Sequence, residues 1–529
     1  MRPGVALACL GAAIAAALGS GTPHAADPGA PTAPGAEPPG VTREQGESWT
    51  RWTVRLPGVL LGYALPRSPT GERQLFVLMR PLPPLPSGND DATADPCAFA
   101  ESTEPQPTEV HRVALGEEPT LARVAVGAPG CAALDAFDAD GDGADELLLG
   151  CPGTLYELEP EGPDGSRGAR AVVEDPDFAW TSFHPRAVRG DVAAETTALV
   201  SIRNGRLDLW RLDGTGGWKR TARIPLPVDA SVYRDRIEVR THLPRELGRE
   251  PDGSLLFAAR AENVGDLRVR SELIHVSPQG EVQSSVSWSR LPAPEDVLER
   301  RFLLVAGRPM LWVATKPADK LGLFGEKRVR LYALERDRSR LGLDPVFATE
   351  SRMNLWQPGE VALYDANGDG ADDLVLGYWK GLIGSTAVLD VYLGDGEGGF
   401  ARSARSTELE VKKGDRSFVV HGRDLNGDGS PDLLVRGRDG LLLFPGRPAP
   451  KGRKLVEPRP QLLPLEVSGA DDVEIRIGSD EAGGPPDLDA FGAERPRIVD
   501  LDGDGLAEIL LPRRGAGRGG RIVVLRPCR

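Results

Sequence analysis

Apolar residues in this chain come in short runs and not in stripes of helical period. The runs VLLGYAL (59–65), ELLLG (146–150), TALVS (197–201), SLLFA (254–258), MLWVA (310–314), DLVLG (373–377), DLLVR (432–436) and EILLP (508–512) each precede a second run. The second runs are QLFVLMR, TLYELEP, LDLWRLDG, LIHVSPQG, RLYALER, LDVYLGDG, LLLFPG and RIVVLRP. Short β-branched and Leu-rich runs bounded by Gly, Pro and Asp read as buried strands, the first run of each pair as a second strand and the next as a third. The pairs recur mostly about 50 to 65 residues apart, the spacing of a structural repeat. One such unit of four short strands cannot bury its own faces, and radial stacking on its neighbours gives a propeller. The last unit stops after its third run, at Arg529. The segment around Trp49–Leu56 is expected to supply the missing strand and close the ring. Because closure uses part of the first unit, the expectation is an all-β propeller of seven or eight four-stranded blades.

Between strand runs lies a recurring acidic loop. Residues 365–373, DANGDGADD, place oxygen ligands at positions 1, 3, 5 and 9, as Asp365, Asn367, Asp369 and Asp373, with Gly at 4 and 6. The other copies are DADGDGADE (Asp138, Asp140, Asp142, Glu146), DLNGDGSPD (Asp424, Asn426, Asp428, Asp432) and DLDGDGLAE (Asp500, Asp502, Asp504, Glu508). Carboxylates converging from nine residues repel one another unless a hard cation neutralises them, and oxygen ligands at this spacing suit Ca²⁺. The glycines give the left-handed turns that aim successive side chains inward. A single copy reads equally as a solvated Asp-Gly turn; four copies with one ligand pattern favour the metal. An EF-hand begins the same way but needs a bidentate Glu at position 12 and flanking helices. Position 12 here is Leu149, Leu376, Val435 or Leu511, inside a strand run.

Acidic loops between strands in this repeat resemble the FG-GAP/VCBS repeats of integrin α-subunit propellers and of many secreted bacterial proteins. Gly150-Cys151-Pro152 stands where those repeats carry their GAP element, and VYLGDGEGGF (391–400) where they carry the third-strand signature. The resemblance covers nearly all of the chain after its N-terminal segment. It implies about four structural Ca²⁺ ions, held between first and second strands, on a propeller that serves as an interaction module.

Composition refines the picture. The abundance of Gly (64) and Pro (47) with 5% aromatic residues suits many short strands and turns. A net charge of −15 excludes nucleic acid as the expected partner. Residues 1–26 read as a secretory signal peptide, 27–44 as a Pro/Ala/Gly-rich linker, and 45–529 as the propeller. No later run is long and apolar enough for a transmembrane anchor. The chain is expected to be exported, to the periplasm, the cell surface or beyond, as a monomer. Cys97, Cys131, Cys151 and Cys528 remain after cleavage and allow three connectivities. Cys131 and Cys151 bracket the first loop on one hairpin and are expected to pair, leaving Cys97 for Cys528.

No catalytic residue emerges. His111, His184, His242, His275 and His421 lie in no catalytic motif, and HExxH, phosphate-binding Gly loops and zinc-spaced cysteines are missing. The acids from Asp471 to Asp489 form an insertion that reads as a solvated loop or a ligand-facing rim. Trp210 and Trp312 fall within strands as packing residues, whereas Trp180, Trp218 and Trp379 fall near strand ends, where a sugar could stack. Arg189-Gly190-Asp191 is explained by chance in a chain this rich in all three residues. Two function classes follow: a module binding a protein or polysaccharide, with calcium structural, or a carbohydrate-active enzyme of polysaccharide lyase type on a propeller scaffold.

Overall fold

The computed structural model describes residues 39–527 except 82–106, 177–197, 226–236, 243–254, 317–326, 334–343, 352–359, 465–496 and shorter stretches. Contacts divide the chain into Met1–Pro38 and Pro39–Arg529, and the described residues belong to the second unit. The proposed signal peptide, Cys97, Cys528, Trp180, His184, His421, Arg189-Gly190-Asp191 and the acidic insertion lie outside the described residues.

Among the described residues, eight antiparallel sheets follow one another along the chain, seven of them meanders of sequential strands. Blade 1 is Gly58–Ala64, Leu75–Pro81, Thr108–Ala114 and Thr120–Gly127. Blade 2 is Ala133–Phe137, Glu146–Cys151, Thr154–Leu158 and Ala169–Glu174. Blade 3 has three described strands between Ala198 and Pro225, and blade 4 runs from Ile237 to Ser287. Blade 5 begins with Asp296–Val305 and Arg308–Lys316. Blade 6 is Glu360–Tyr364, Asp373–Lys380, Thr386–Tyr392 and Arg405–Leu409; blade 7 is Phe418–Val420, Leu433–Arg436, Gly440–Phe444 and Gln461–Pro464. Blade 8 is Arg497–Val499, Glu508–Arg513 and Arg521–Pro527, completed by Trp49–Arg55 from the other end of the sequence. Trp49–Arg55 pairs with Arg521–Pro527 from Trp49↔Pro527 to Arg55↔Arg521, so the ring closes as expected, with eight blades.

The apolar runs are near-continuous because the inner strands are buried on both faces. In the second strand of blade 6, Leu374, Leu376 and Tyr378 join a core shared with Met310, Trp312 and other blade 5 residues, whereas Val375 and Trp379 join a core shared with Leu433 and Val435 of blade 7. This two-residue alternation sends successive side chains to opposite faces. Leu434, Leu443, Ile509 and Leu525 fill the space between blades 7 and 8. Trp52, Val54, Leu75, Val77, Ile522 and Val524 fill that between blades 8 and 1. Similar clusters join blade 1 to blade 2 and blade 2 to blade 3. Cores between consecutive sheets, with the first and last strands paired in one sheet, define a β-propeller.

Three expectations change. VLLGYAL and QLFVLMR are the first and second strands of blade 1, not the second and third, because Trp49–Arg55 is used up in blade 8. Gly40–Gln45, read as linker, is a strand paired outside Trp49–Arg55, giving blade 8 a fifth strand. Trp218 and Trp379 are buried in inter-blade cores, so they are packing residues like Trp210 and Trp312 and offer no face to a sugar. Among the described residues no helix is long and apolar enough to cross a membrane.

Candidate metal loops

The four acidic loops join the first and second strands of blades 2, 6, 7 and 8, and position 12 of each (Leu149, Leu376, Val435, Leu511) is buried in a strand. Each loop is held by the same backbone cage. Position 1 accepts N–H bonds from both glycines: Asp365 from Gly368 (2.6 Å) and Gly370 (2.8 Å), Asp424 from Gly427 (2.6 Å) and Gly429 (2.7 Å), and Asp500 from Gly503 (2.7 Å) and Gly505 (2.9 Å). In blade 2, Asp138 accepts from Gly143 at 3.0 Å. These glycines have φ between 76° and 90°, where a Cβ would crowd the following carbonyl oxygen. Position 5 accepts the N–H of position 7 in every copy: Ala144 to Asp142, Ala371 to Asp369, Ser430 to Asp428 and Leu506 to Asp504.

Position 9 does something different. Asp373, Asp432 and Glu508 are buried and accept the N–H of position 2, from Ala366 at 3.1 Å, Leu425 at 2.8 Å and Leu501 at 2.8 Å. Position 2 is itself buried in the core towards the next blade, with Ala366, Leu425 and Leu501 each in a different inter-blade cluster. The second oxygen of Asp373 accepts from Gly394 N–H (2.8 Å), and that of Asp432 from Gly446 N–H (2.7 Å), both just past the third strand. The ninth acid therefore ties three strands, not two. Gly394 and Gly446 allow this approach: a Cβ there would stand 2.1 Å from Asp372 O and 2.4 Å from Pro431 O.

Electrostatics set the ninth acids apart. Burial pushes Asp373 and Asp432 up to about 6, against the pull of their backbone donors, and the nearby acids of each loop push the same way. Burial likewise raises Glu508 to about 7, although Arg526 opposes it. The exposed Asp369 is held below the usual carboxylate range by the Ala371 N–H and then by the Asn367 side chain. Carboxylate oxygens of Asp138, Asp140 and Glu146 lie within 4.8 Å of one another, as do those of Asp500, Asp502 and Asp504. Hard oxygen donors that converge, as in the loops of blades 2 and 8, or that surround a buried ninth acid, as in blades 6 and 7, are of the kind that fits a calcium ion. Blade 8 brings in Arg526, which hydrogen-bonds Glu508 and reaches Asp502 at 2.5 Å.

Cys131 and Cys151 form a disulfide across the hairpin that carries the first loop. His111 is buried against Glu109 at 2.9 Å, and His275 is buried in a blade 4 strand. Sequence reasoning missed the apolar position 2, Gly394 and Gly446, and Arg526. The first was readable as Ala, Leu, Leu at one place in three loops, and the others become visible only once the third strand is in register.

Residues 350–435, which hold the whole of blade 6's loop and the loop of blade 7, match the FG-GAP-like repeat family. No curated protein matches the chain. Among solved structures it is similar to a protein from Lactobacillus plantarum at 12% identity, covering 69% of this chain and 92% of that one, with a TM-score of 0.31. It is also similar to a candidate 6-phosphogluconolactonase from Bacteroides uniformis ATCC 8492 at 12% identity, over 69% and 97% of the chains, with a TM-score of 0.29. Likenesses this distant bear on neither fold nor function, and the fold rests on the strand pairing itself. The chain is an all-β propeller with an FG-GAP-like repeat in its sixth and seventh blades.

Proposed function

We propose that this chain is an exported interaction module, a propeller whose acidic loops bind structural Ca²⁺ and whose rim binds a protein or polysaccharide. The observation that carries the metal reading is the repeated cage, in which glycine amides orient the first acid and a buried ninth acid closes the loop from below. The loops sit in separate hairpins, and a two-metal catalytic centre needs ions about 4 Å apart. Calcium therefore acts on stability. Ligand that binds only the folded state contributes about 2.7 kcal/mol per site at a hundredfold excess over its dissociation constant. The Cys131–Cys151 disulfide supports an oxidising compartment, in keeping with the apolar N-terminal segment.

Chelation should lower the melting temperature of the purified chain, and Asp369→Ala should reproduce part of the loss with one fewer ion bound. A melting curve unmoved by chelator, with no calcium in the protein by elemental analysis, refutes the metal reading. A glycan and protein array probed with and without calcium tests the binding role, and the absence of any ligand in both conditions counts against it.

A further inference from the structure

The loops of blades 2 and 8 have the same pattern, DxDGDGxxE, and the same neighbour past the third strand. In blades 6 and 7 that neighbour is Gly394 or Gly446, whose N–H satisfies an aspartate. Carrying the register on from Leu147↔Leu158 and Ile509↔Leu525 puts Pro160 and Pro527 at the same place. Proline has no N–H to give. In both blades position 9 is the longer Glu, which must find another donor. The residue opposite it differs: Glu159 in blade 2, Arg526 in blade 8.

Arg526 fills the vacancy left by the missing amide. Its Nε hydrogen-bonds Glu508 Oε1, and its Nη2 lies 2.5 Å from Asp502 Oδ2, so one guanidinium spans positions 9 and 3. The remaining oxygens of those two acids are also engaged, Glu508 Oε2 by Leu501 N–H and Asp502 Oδ1 by Asp504 N–H at 3.3 Å. Trp52 of the closing strand steadies the guanidinium from behind, with Cζ 5.6 Å from its ring centroid. Arg526 is always charged and its planar fork suits two carboxylates. A cation so placed opposes the entry of a second. In blade 2 the register places an acid, Glu159, opposite Glu146, whose carboxylate gathers with those of Asp138 and Asp140, whereas in blade 8 Asp500, Asp502 and Asp504 gather while Glu508 is held by Arg526.

We propose that Arg526 is the built-in counter-ion of the blade 8 loop, so that this loop keeps its shape without calcium and the chain takes up three ions, in blades 2, 6 and 7. This rests on the calcium reading given above. Equilibrium dialysis of the full chain against radioactive calcium, with ions counted per chain, tests it. The wild type should bind three ions, Arg526→Gln should gain a fourth, and Glu159→Arg, which places the same cation opposite Glu146, should drop to two. Four ions in the wild type, or three in both the wild type and a folded Arg526→Gln, overturns the proposal. If Arg526→Gln does not fold, the wild-type count and the Glu159→Arg variant decide. No ion in any variant overturns the calcium reading itself, and the proposal with it.

Discussion

Asp373 and Asp432 carry the most informative perturbation, replacement of both by Asn. Each is wholly buried, and burial pushes each up to about 6. A carboxyl with a higher pKa folded than unfolded takes up a proton on folding. The metal-free protein should therefore gain stability as pH falls through 6, the gain being complete near pH 4, where the unfolded chain is protonated too. A rise of roughly two units at about 1.4 kcal/mol each gives ~3 kcal/mol per carboxyl, or ~6 for the pair. The Asn pair removes these two contributions and should show a shallower slope over this interval, left by Glu508, although each turns an acceptor into a donor facing a backbone N–H, at a cost of about 1–3 kcal/mol. Calcium reverses the slope, because the ion needs the ionised acid and protons compete with it. Melting temperatures from pH 7.5 to 4.5, in calcium-stripped buffer and with calcium added, measure both slopes. The reasoning is wrong if the metal-free wild type loses stability from pH 7 to 5 in parallel with the double variant.

Gly394→Ala and Gly446→Ala should each cost about 2–4 kcal/mol, since the new Cβ meets a backbone oxygen at 2.1 or 2.4 Å. Gly429→Ala, with φ of 86° but open space, should cost about 1–2 kcal/mol, and denaturant midpoints give the ranking. Trp52→Ala empties a buried site at the closing seam and should cost about 3–5 kcal/mol, read as earlier unfolding with a folded β spectrum at low temperature. Replacing Cys131 and Cys151 together by Ser opens a loop with a sequence separation of 20 and should cost about 3 kcal/mol. Peptide mapping without reductant should recover the two cysteines linked.

Much of this architecture was legible because each feature had a local cause. Six of the eight second-strand runs are second strands of their sheets, and TALVS opens the three described strands of blade 3, since two-faced burial requires apolar runs wherever a blade is sandwiched. The closing strand at Trp49–Arg55 followed from a last unit one strand short. Blade 1 was misplaced by one strand for the same reason, its first run lying where other units have their second. The loops were readable from ligand spacing, whereas the partners of the ninth acid were not. Gly394 lies 21 residues from Asp373, and Arg526 lies 18 from Glu508. Their roles depend on the register between second and third strands, which spacing alone does not reveal.

That register also explains where the loops fall around the ring. Blades 6, 7 and 8 carry them in succession and blade 2 carries another, with only blade 1 between. Blade 1 has no acidic loop, yet its first-to-second-strand connection is clasped on both sides. Arg73 N–H donates to Leu501 O of the blade 8 loop at 2.7 Å. Arg67 N–H donates to Asp145 Oδ2 of the blade 2 loop at 2.8 Å, and Asp145 N–H returns to Arg67 O at 2.8 Å. Between blades 6 and 7, Tyr364 leaves no room for a Cβ at Gly422 and has its hydroxyl kept neutral by burial and by both ninth acids. The tied hairpins thus form one arc, and the joint between the two ends of the chain lies within it. Blade 5, outside the arc, manages differently: its first two strands run directly into a hairpin and pair from Asp296↔Lys316 to Val305↔Arg308. In blades 7 and 8 the equivalent ladders include, among the described residues, Phe418–Val420 and Arg497–Val499. In those blades the buried acid adds a constraint to the backbone pairing, and it does so beside the seam at which a ring closed only by strand pairing would open.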